Sequence, residues 1–227
     1  MTPGRGWTFA IVTPLLILVL ILNLHAYAPH WHPSERDYPD QGIDVSHHQG
    51  RIDWPLLPAQ GVDFAYIKAS EGGDFRDPDF GRNWAGARAA GVRRGAYHFF
   101  TLCRPGADQA ANFIAAVPAD PDALPPAVDL EHMGPCTRTV TPAALRAEIA
   151  DFLRLVEAHY RRPARLYLTR EYDETYAISA HFDRPLWLRS IVWKPRFGTR
   201  PWSLWQASSF RRLDGIQGRV DWNVARP

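Results

Sequence analysis

Two hydrophobic patterns divide the chain into a short N-terminal segment and a larger remainder. Apolar residues run almost without interruption from Trp7 to Leu24, and no face of this stretch is polar. Beyond Gly42, short runs of β-favouring residues alternate with stretches whose apolar positions recur at helical spacing. Such alternation is typical of βα units and a parallel sheet. The pattern therefore predicts an α/β fold preceded by a separate apolar segment.

Eight runs predict strands and three longer stretches predict helices. The strand candidates are 42–45, 64–68, 95–100, 127–130, 165–169, 186–188, 203–206 and 219–222. The helix candidates are 79–90, 107–117 and 141–160, the last with Thr141 as N-cap and Pro142 at the first helical position. After Thr169 the strands follow each other too closely for long helices. We therefore expect an irregular TIM-like barrel, with five regular β/α units plus three further strands.

The apolar stretch is expected to enter a membrane. Its length, about 18 residues, lies between a long signal-peptide core and a membrane-spanning helix, which needs about 20 residues. The small residues of Ala26-Tyr27-Ala28 favour cleavage after Ala28, whereas the long apolar run favours retention. Residues 1–28 are thus predicted to be a signal peptide or a signal anchor. In either case the remainder is exported. A retained segment would hold it at the periplasmic face of the inner membrane, and a cleaved one would leave it secreted or periplasmic.

Composition narrows the class of the exported part. Residues 29–40 are rich in proline and charge and predict a linker, and residues 41–227 are expected to form one barrel domain. The net charge of +2 and the dispersed arginines argue against a nucleic-acid partner. The protein is expected to be a monomer.

The two cysteines, Cys103 and Cys136, lie in the exported part, where disulfides form. Each follows a predicted strand by a few residues. If those strands are neighbours, the two loops emerge at the same edge and a bridge is geometrically reasonable. A pair of free thiols is the alternative. Neither cysteine has the spacing of a zinc or redox site.

Acidic residues lie where barrel enzymes place their chemistry, at strand ends. Asp44 ends the first strand, Asp129 and Glu131 end the fourth, and Asp221 belongs to the last. Residues two apart on a strand share a face, so Asp129 and Glu131 are expected to point the same way. A protonated carboxyl beside an anionic one is what glycosidic bond cleavage requires. The alternative is that these acids cap loops or pair with nearby arginines.

The surroundings of these acids resemble glycoside hydrolase family 25, the lysozymes of the Chalaropsis type. Five short blocks carry the resemblance and occur in the same order. They are Gly42-Ile43-Asp44-Val45-Ser46 with Gln49-Gly50 and Ile52-Asp53-Trp54, residues 61–72 (GVDFAYIKASEG), residues 95–100 (GAYHFF) with Gln109-Ala110 and Phe113, residues 124–131 (LPPAVDLE), and Trp205-Gln206 with residues 218–221 (GRVD).

The resemblance implies a β/α barrel that hydrolyses the β-1,4 bond between N-acetylmuramic acid and N-acetylglucosamine in peptidoglycan, without a metal or organic cofactor. It also implies roles for the acids. Glu131 would be the general acid and later the base, and Asp129 would assist by orienting the substrate's own N-acetyl oxygen. Asp44 and Asp221 would bind sugar and tune the charge of the cleft.

Two aromatic residues are candidates for substrate binding. Tyr97 and Phe99 share one face of the third predicted strand and His98 takes the other, so Tyr97 is expected to face the site. Trp205 could stack on a sugar ring, although a tryptophan in a barrel strand is core packing about as often.

Charged residues near the second strand leave alternatives open. Lys68 and Glu71 could pair with each other or reach substrate. His47 and His48 follow Asp44, but no third ligand stands at a suitable spacing, so they are interpreted as loop histidines rather than a metal site.

Two positions depart from the family pattern. Ser70 stands where threonine is common, which keeps the hydroxyl. The sixth strand usually continues from Leu186-Trp187 into a small residue and then a nearby tyrosine, whereas here Leu188-Arg189-Ser190 follow. The sequence therefore does not define one wall of the cleft or the preference of the substrate subsites there.

A peptidoglycan-binding module anchored at the membrane and a barrel glycosidase acting on chitin-like polymers are the alternatives to a muramidase.

Overall fold

The computed structural model describes residues 6–132, 134, 136 and 139–227. Nine strands are present in this part of the chain, and their bounds are β1 Gln41–Val45, β2 Phe64–Glu71, β3 Phe75–Arg76, β4 Arg93–Phe99, β5 Ala127–Leu130, β6 Arg165–Leu168, β7 Leu186–Arg189, β8 Trp202–Arg211 and β9 Val220–Ala225. The α-helices are α1 Gly6–Tyr27, α2 Phe80–Ala89, α3 Gly106–Ala116, α4 Pro142–Tyr160, α5 Arg170–Tyr176 and α6 Ile178–His181.

Eight of the strands close into a barrel. Their order is β1-β9-β8-β7-β6-β5-β4-β2, and β1 also pairs with β2, which completes the circle. The short β3 lies outside the circle as a hairpin partner of the end of β2. The predicted mixed α/β barrel of eight strands is therefore confirmed. The hydrophobic pattern did not predict the ninth strand, β3.

The last strand, β9, runs in the opposite direction to the other seven strands of the barrel. β9 pairs antiparallel with both β8 and β1, while the pairings from β1 through β2 and on to β8 are parallel. The connection from Arg211 to Val220 is only a short loop, too short for the crossover that a parallel strand needs. The beginning of β9, rather than its end, consequently lies at the mouth where the other strands finish.

The first β/α unit is less regular than expected. Between β1 and β2, where every residue is described, three 3-10 turns take the place of an α-helix. Pro55 and Pro58 begin two of these turns, and Gly61 ends the last one with a left-handed backbone. Because proline lacks the N–H that a continuing helix needs, the segment stays in single turns.

Helices α2, α3 and α4 cover the barrel on one side. Helix α4 begins at the predicted N-cap, where the Thr141 hydroxyl accepts from the Ala144 N–H. Its buried stripe packs against the barrel wall and against α3, and Phe152 stacks on the fully buried His98 ring. These helices form the main core together with the outward-facing residues of β2, β4 and β5.

The segment predicted as a linker lies against the opposite side, where the last strands have no helix to cover them. Trp31 packs on Phe210, and Tyr38 packs on Trp202 and on Trp205. The Arg212 N–H donates to the Pro29 carbonyl. Residues 29–40 thus form part of the barrel's outer layer, because the apolar outer face of β8 and β9 would otherwise meet water.

The apolar N-terminal stretch forms α1. Within the part of the chain that the structure describes, no helix reaches the length and hydropathy needed to cross a membrane. The membrane role of the stretch from Trp7 to Leu24 stays a prediction.

Candidate active site

Four carboxyl groups line one cleft of about 260 Å³ at the barrel mouth. Asp44 lies near the end of β1, Asp129 lies in β5, and Glu131 immediately follows that strand. Asp221 is the second residue of β9 and stands directly opposite Asp44 in the antiparallel pair. Residues paired in this way have Cα atoms about 4.5–5.5 Å apart. The structure therefore brings together the four acids that the sequence singled out.

Asp44 is held by two side-chain amides. Its Oδ2 accepts from Gln206 Nε2 at 3.0 Å and from Asn223 Nδ2 at 2.7 Å. The amide of Asn223 has only one possible orientation, because its Oδ1 accepts from the Trp187 indole at 2.7 Å and an indole N–H can only donate. Gln206 is oriented in the same way by the Tyr167 hydroxyl, which donates to its Oε1 at 3.0 Å.

Burial raises the pKa of all four acids, and the charge of neighbouring acids adds to the rise for Asp129, Glu131 and Asp221. Burial raises the pKa of Asp44, and the hydrogen bonds from Asn223 and Gln206 oppose that rise. Burial, with the charge of Asp44 adding to it, raises the pKa of Asp221 to about 8. Like charges in a shared, poorly solvated cleft cannot all ionise together. The site therefore retains protons at pH values where exposed carboxyls have lost them.

The two acids of the β5 end differ in surroundings. Burial and the neighbouring charge of Glu131 hold the pKa of Asp129 well above its usual range. Among the described residues no group hydrogen-bonds to its buried Oδ1. Glu131 is more open to solvent, and burial raises its pKa while the charge of Arg189 opposes the rise. One proton shared between two such neighbours suits an acid that must act beside an anion.

Two further candidates line the same cleft. Tyr97 faces it from β4, while His98 points to the opposite side of the strand. Burial, with the acids adding to it, holds the pKa of Tyr97 well above its usual value, so the phenol stays neutral. Lys68 lies in the wall between the cleft and a second groove, and its Nζ contacts the carboxylate of Glu71 at 2.7 Å.

Glu71 lies in that second groove rather than in the acidic cleft. The two depressions share His48 and Lys68, so they form one continuous surface. The pair between Lys68 and Glu71 does not exclude contact with substrate, because Glu71 remains partly exposed.

Trp205 does not line the cleft, so its candidacy for sugar stacking is corrected in favour of the alternative, core packing. Its side chain is only 4% exposed and packs in the outer core, and its indole donates to the Ser190 carbonyl. The neighbouring Gln206 faces the cleft, so alternation along β8 turns Trp205 outward. The tryptophan that does line the cleft is Trp187, on the adjacent strand β7.

Trp187, Tyr167 and Asn223 were missed as site residues. The alternation of β7 and β6 could have placed Trp187 and Tyr167 inside the barrel. The contact of Asn223 with Asp44 depends on the antiparallel pairing of β9, which no motif indicates.

His47 and His48 lie beside the cleft. His47 is engaged by Asp77, whose Oδ2 lies 2.8 Å from His47 Nδ1. The residues that the structure describes contain no group of three or more acidic, histidine or cysteine side chains that could hold a metal ion.

The Cys103–Cys136 disulfide lies in the wall of the second groove. It joins the loop after β4 to the loop after β5, with Cα atoms 5.8 Å apart. The sequence predicted this disulfide on the condition that the two preceding strands are neighbours, and β4 and β5 do pair. The disulfide links Cys136, five residues after Glu131, to the loop that follows β4.

A pair of carboxyls at the mouth of an eight-stranded β/α barrel defines a candidate glycoside hydrolase. The family model "Glycosyl hydrolases family 25" matches residues 43–216. The chain therefore belongs to glycosyl hydrolase family 25.

Three similar proteins illustrate the match. A family 25 glycosyl hydrolase structure from Bacillus anthracis superposes with a TM-score of 0.81 and 35% identity, covering 86% of this chain and 92% of that one. Lysozyme M1 of Streptomyces globisporus is 34% identical over 81% of this chain and 66% of its own length. The uncharacterized protein YegX of Escherichia coli K12 is 32% identical over 82% of this chain and 70% of its own length.

Proposed function

We propose that the chain is a lysozyme that hydrolyses the β-1,4 bond between N-acetylmuramic acid and N-acetylglucosamine in peptidoglycan. Membership of family 25 and the similarity to Lysozyme M1 support this activity. The observation that carries the proposal is the cleft at the barrel mouth that Asp129 and Glu131 line together, with Glu131 the more open of the two to solvent.

Glu131 is assigned as the general acid. Because burial raises its pKa, the carboxyl keeps a proton to higher pH than an exposed glutamate. It donates this proton to the glycosidic oxygen as the bond from that oxygen to the anomeric carbon breaks. A protonated Glu131 removes the repulsion that adds to burial in raising the pKa of Asp129, and a substrate N–H that donates to Asp129 favours its carboxylate form.

Asp129 is assigned as the residue that orients the substrate's N-acetyl group. Its carboxylate accepts the amide N–H, and the acetyl oxygen bonds to the anomeric carbon in place of the departing sugar. Water then displaces the acetyl oxygen, and the Glu131 carboxylate takes a proton from that water. Two displacements at one carbon retain its configuration. Asp44, Asp221 and Tyr97 are assigned to sugar binding around this centre.

Exchange of Glu131 tests the assignment. The full chain should release muropeptides from peptidoglycan, with muramic acid at each new reducing end. Glu131→Gln should lower the rate by ~10²- to 10⁴-fold, the usual contribution of a general acid. Glu174→Gln, on an exposed face of α5, is the matched control. An unaffected Glu131→Gln variant would contradict the role, and sedimentation with cell wall without any cleavage would instead indicate a binding module.

The N-terminal segment is assigned to export. Its run from Trp7 to Leu24 would direct the barrel out of the cytoplasm and, if uncleaved, anchor it at the membrane as a monomer. The N-terminal residue of the mature protein, read by mass spectrometry, distinguishes cleavage after Ala28 from retention.

A further inference from the structure

The last residue of β7 places a cation at the rim of the acidic cleft. Side chains alternate along a strand, so Arg189 shares a face with Trp187, which lines the cleft, while Leu188 points into the outer core. The residue that pairs with Arg189 on β8 is Gln206, which also lines the cleft. Arg189 therefore rises from the cleft wall about 7 Å further toward solvent than Trp187.

The fold does not use this guanidinium. Arg189 is exposed, and among the described residues it has no ion pair within 4.0 Å and no side-chain hydrogen bond. Other arginines of the fold do have such partners, since Arg184 contacts Glu157 through two nitrogens and Arg94 contacts Asp120. A cation without a structural partner at the rim of a substrate cleft is available for a ligand.

The cleft acids do not satisfy Arg189 themselves. The Oδ2 atom of Asp44 accepts from Gln206 and Asn223 instead. The charge of Arg189 is nevertheless felt in the cleft, because it lowers the pKa of Glu131, Asp44 and Asp221 against the effect of burial. An anion bound at the rim would therefore lie near the reacting sugar.

We propose that Arg189 binds a carboxylate of the peptidoglycan strand, carried either by the lactyl group of muramic acid or by the peptide attached to it. A guanidinium offers parallel N–H donors whose geometry matches a carboxylate. N-acetylglucosamine polymers have no such group, so Arg189 would favour muramic acid over chitin-like substrates. The inference rests on the proposed lysozyme activity and names the feature of the substrate that this cleft selects.

Three forms of glycan separate the sources of the carboxylate. Intact peptidoglycan strands carry peptide carboxylates, and strands stripped of peptide carry the free lactyl carboxylate. The same stripped strands, after carbodiimide coupling to methylamine, carry neither. The variants are Arg189→Gln, which removes the charge, and Arg189→Lys, which keeps it without the fork. Arg154→Gln, on the exposed face of α4, is the matched control.

Arg189→Gln should raise KM about tenfold on the carboxylate-bearing strand that Arg189 recognises, equivalent to about 1.4 kcal/mol of binding. Because the contact is made equally in the ground and transition states, its loss should leave kcat unchanged, and any change that the lost charge causes through the cleft carboxyls should be the same on all three glycans. The KM of Arg189→Lys should lie between the KM of Arg189→Gln and that of the unsubstituted protein. On methylamidated strands the variant and the unsubstituted protein should have the same KM. The methylamidated strands should also raise the KM of the unsubstituted protein, a result that needs no variant to fold.

Equal losses on charged and neutral strands would overturn the proposal. Arg189 would then act on the carboxyls of the cleft rather than on substrate. An unchanged KM on both carboxylate-bearing strands would overturn it as well. If the unsubstituted protein cleaves none of the three glycans, the failure lies with the lysozyme activity itself.

Discussion

Replacing Asp221 by asparagine should stabilise the fold, and the gain should grow with pH. Asp221 faces Asp44 across the β1–β9 pair, and its pKa rises from an ordinary value of 3.8 to about 8. Between these two pH values the folded protein holds a proton that the unfolded chain has released. The folded state then binds more protons than the unfolded state, so stability falls as pH rises.

The magnitude follows from the linkage. One pKa unit corresponds to 1.36 kcal/mol, so holding the proton from 3.8 up to pH 7 costs ~4 kcal/mol. This value is an upper bound, since Asp44 and Glu131 take up or release protons as Asp221 changes. Asparagine has a similar shape and no charge to lose. Asp221→Asn should therefore gain little below pH 4 and ~1–4 kcal/mol at pH 7.

Urea unfolding of the full chain in mild detergent, at pH 4, 5.5 and 7, measures this difference. Asp151→Asn, which removes an exposed carboxylate of α4, should show no comparable growth with pH. A gain for Asp221→Asn that is equal at pH 4 and pH 7, or a loss at pH 7, would refute the argument that burial and the charge of Asp44 hold a proton on Asp221 in the folded state.

Three other substitutions test the surroundings of the site. Trp187→Phe keeps a ring in the cleft wall but frees the Asn223 amide to turn its oxygen toward the acids. We expect ~1–3 kcal/mol of destabilisation by urea unfolding, the cost of a buried unsatisfied polar group, and a lower kcat. Cys103→Ser opens a loop whose ends are 33 residues apart, which should lower the free energy of unfolding by ~4 kcal/mol. Thermal unfolding of the variant should also be insensitive to reductant, and a Tm equal to that of the unsubstituted protein would contradict this prediction. Trp31→Ala should cost ~2 kcal/mol, whereas a free linker would show no effect.

The hydrophobic pattern was sufficient to locate the barrel strands. Each of the eight predicted runs overlaps an observed strand, because β-branched and aromatic runs bounded by turn residues are specific at this length. The direction of β9 was not predictable in the same way. An apolar run carries no mark of which end meets the mouth, and only the short loop before it excludes a parallel crossover.

The candidate site was predictable where one strand face is apolar and the other polar. Tyr97 was placed in the cleft because His98 and its neighbours obey a simple alternation. In β8 both faces are apolar, with Leu204 inside the barrel and Trp205 outside. The pattern of apolar positions therefore could not decide whether Trp205 faces the substrate or the outer core. The amides that hold Asp44 come from β8 and β9, and their convergence depends on closure of the barrel.

The reversed direction of β9 also explains how four acids can occupy so small a cleft. Asp221 and Asn223 are two residues apart, so they share the inner face of β9. Because β9 starts at the mouth, both lie there and both pair with residues of β1. The same strand therefore supplies a carboxyl that repels Asp44 and an amide that binds it. Burial and, after it, repulsion keep protons in the cleft, and the amides fix the position of the central carboxylate. A parallel β9 would begin at the far end of the barrel, and its first residues could supply neither.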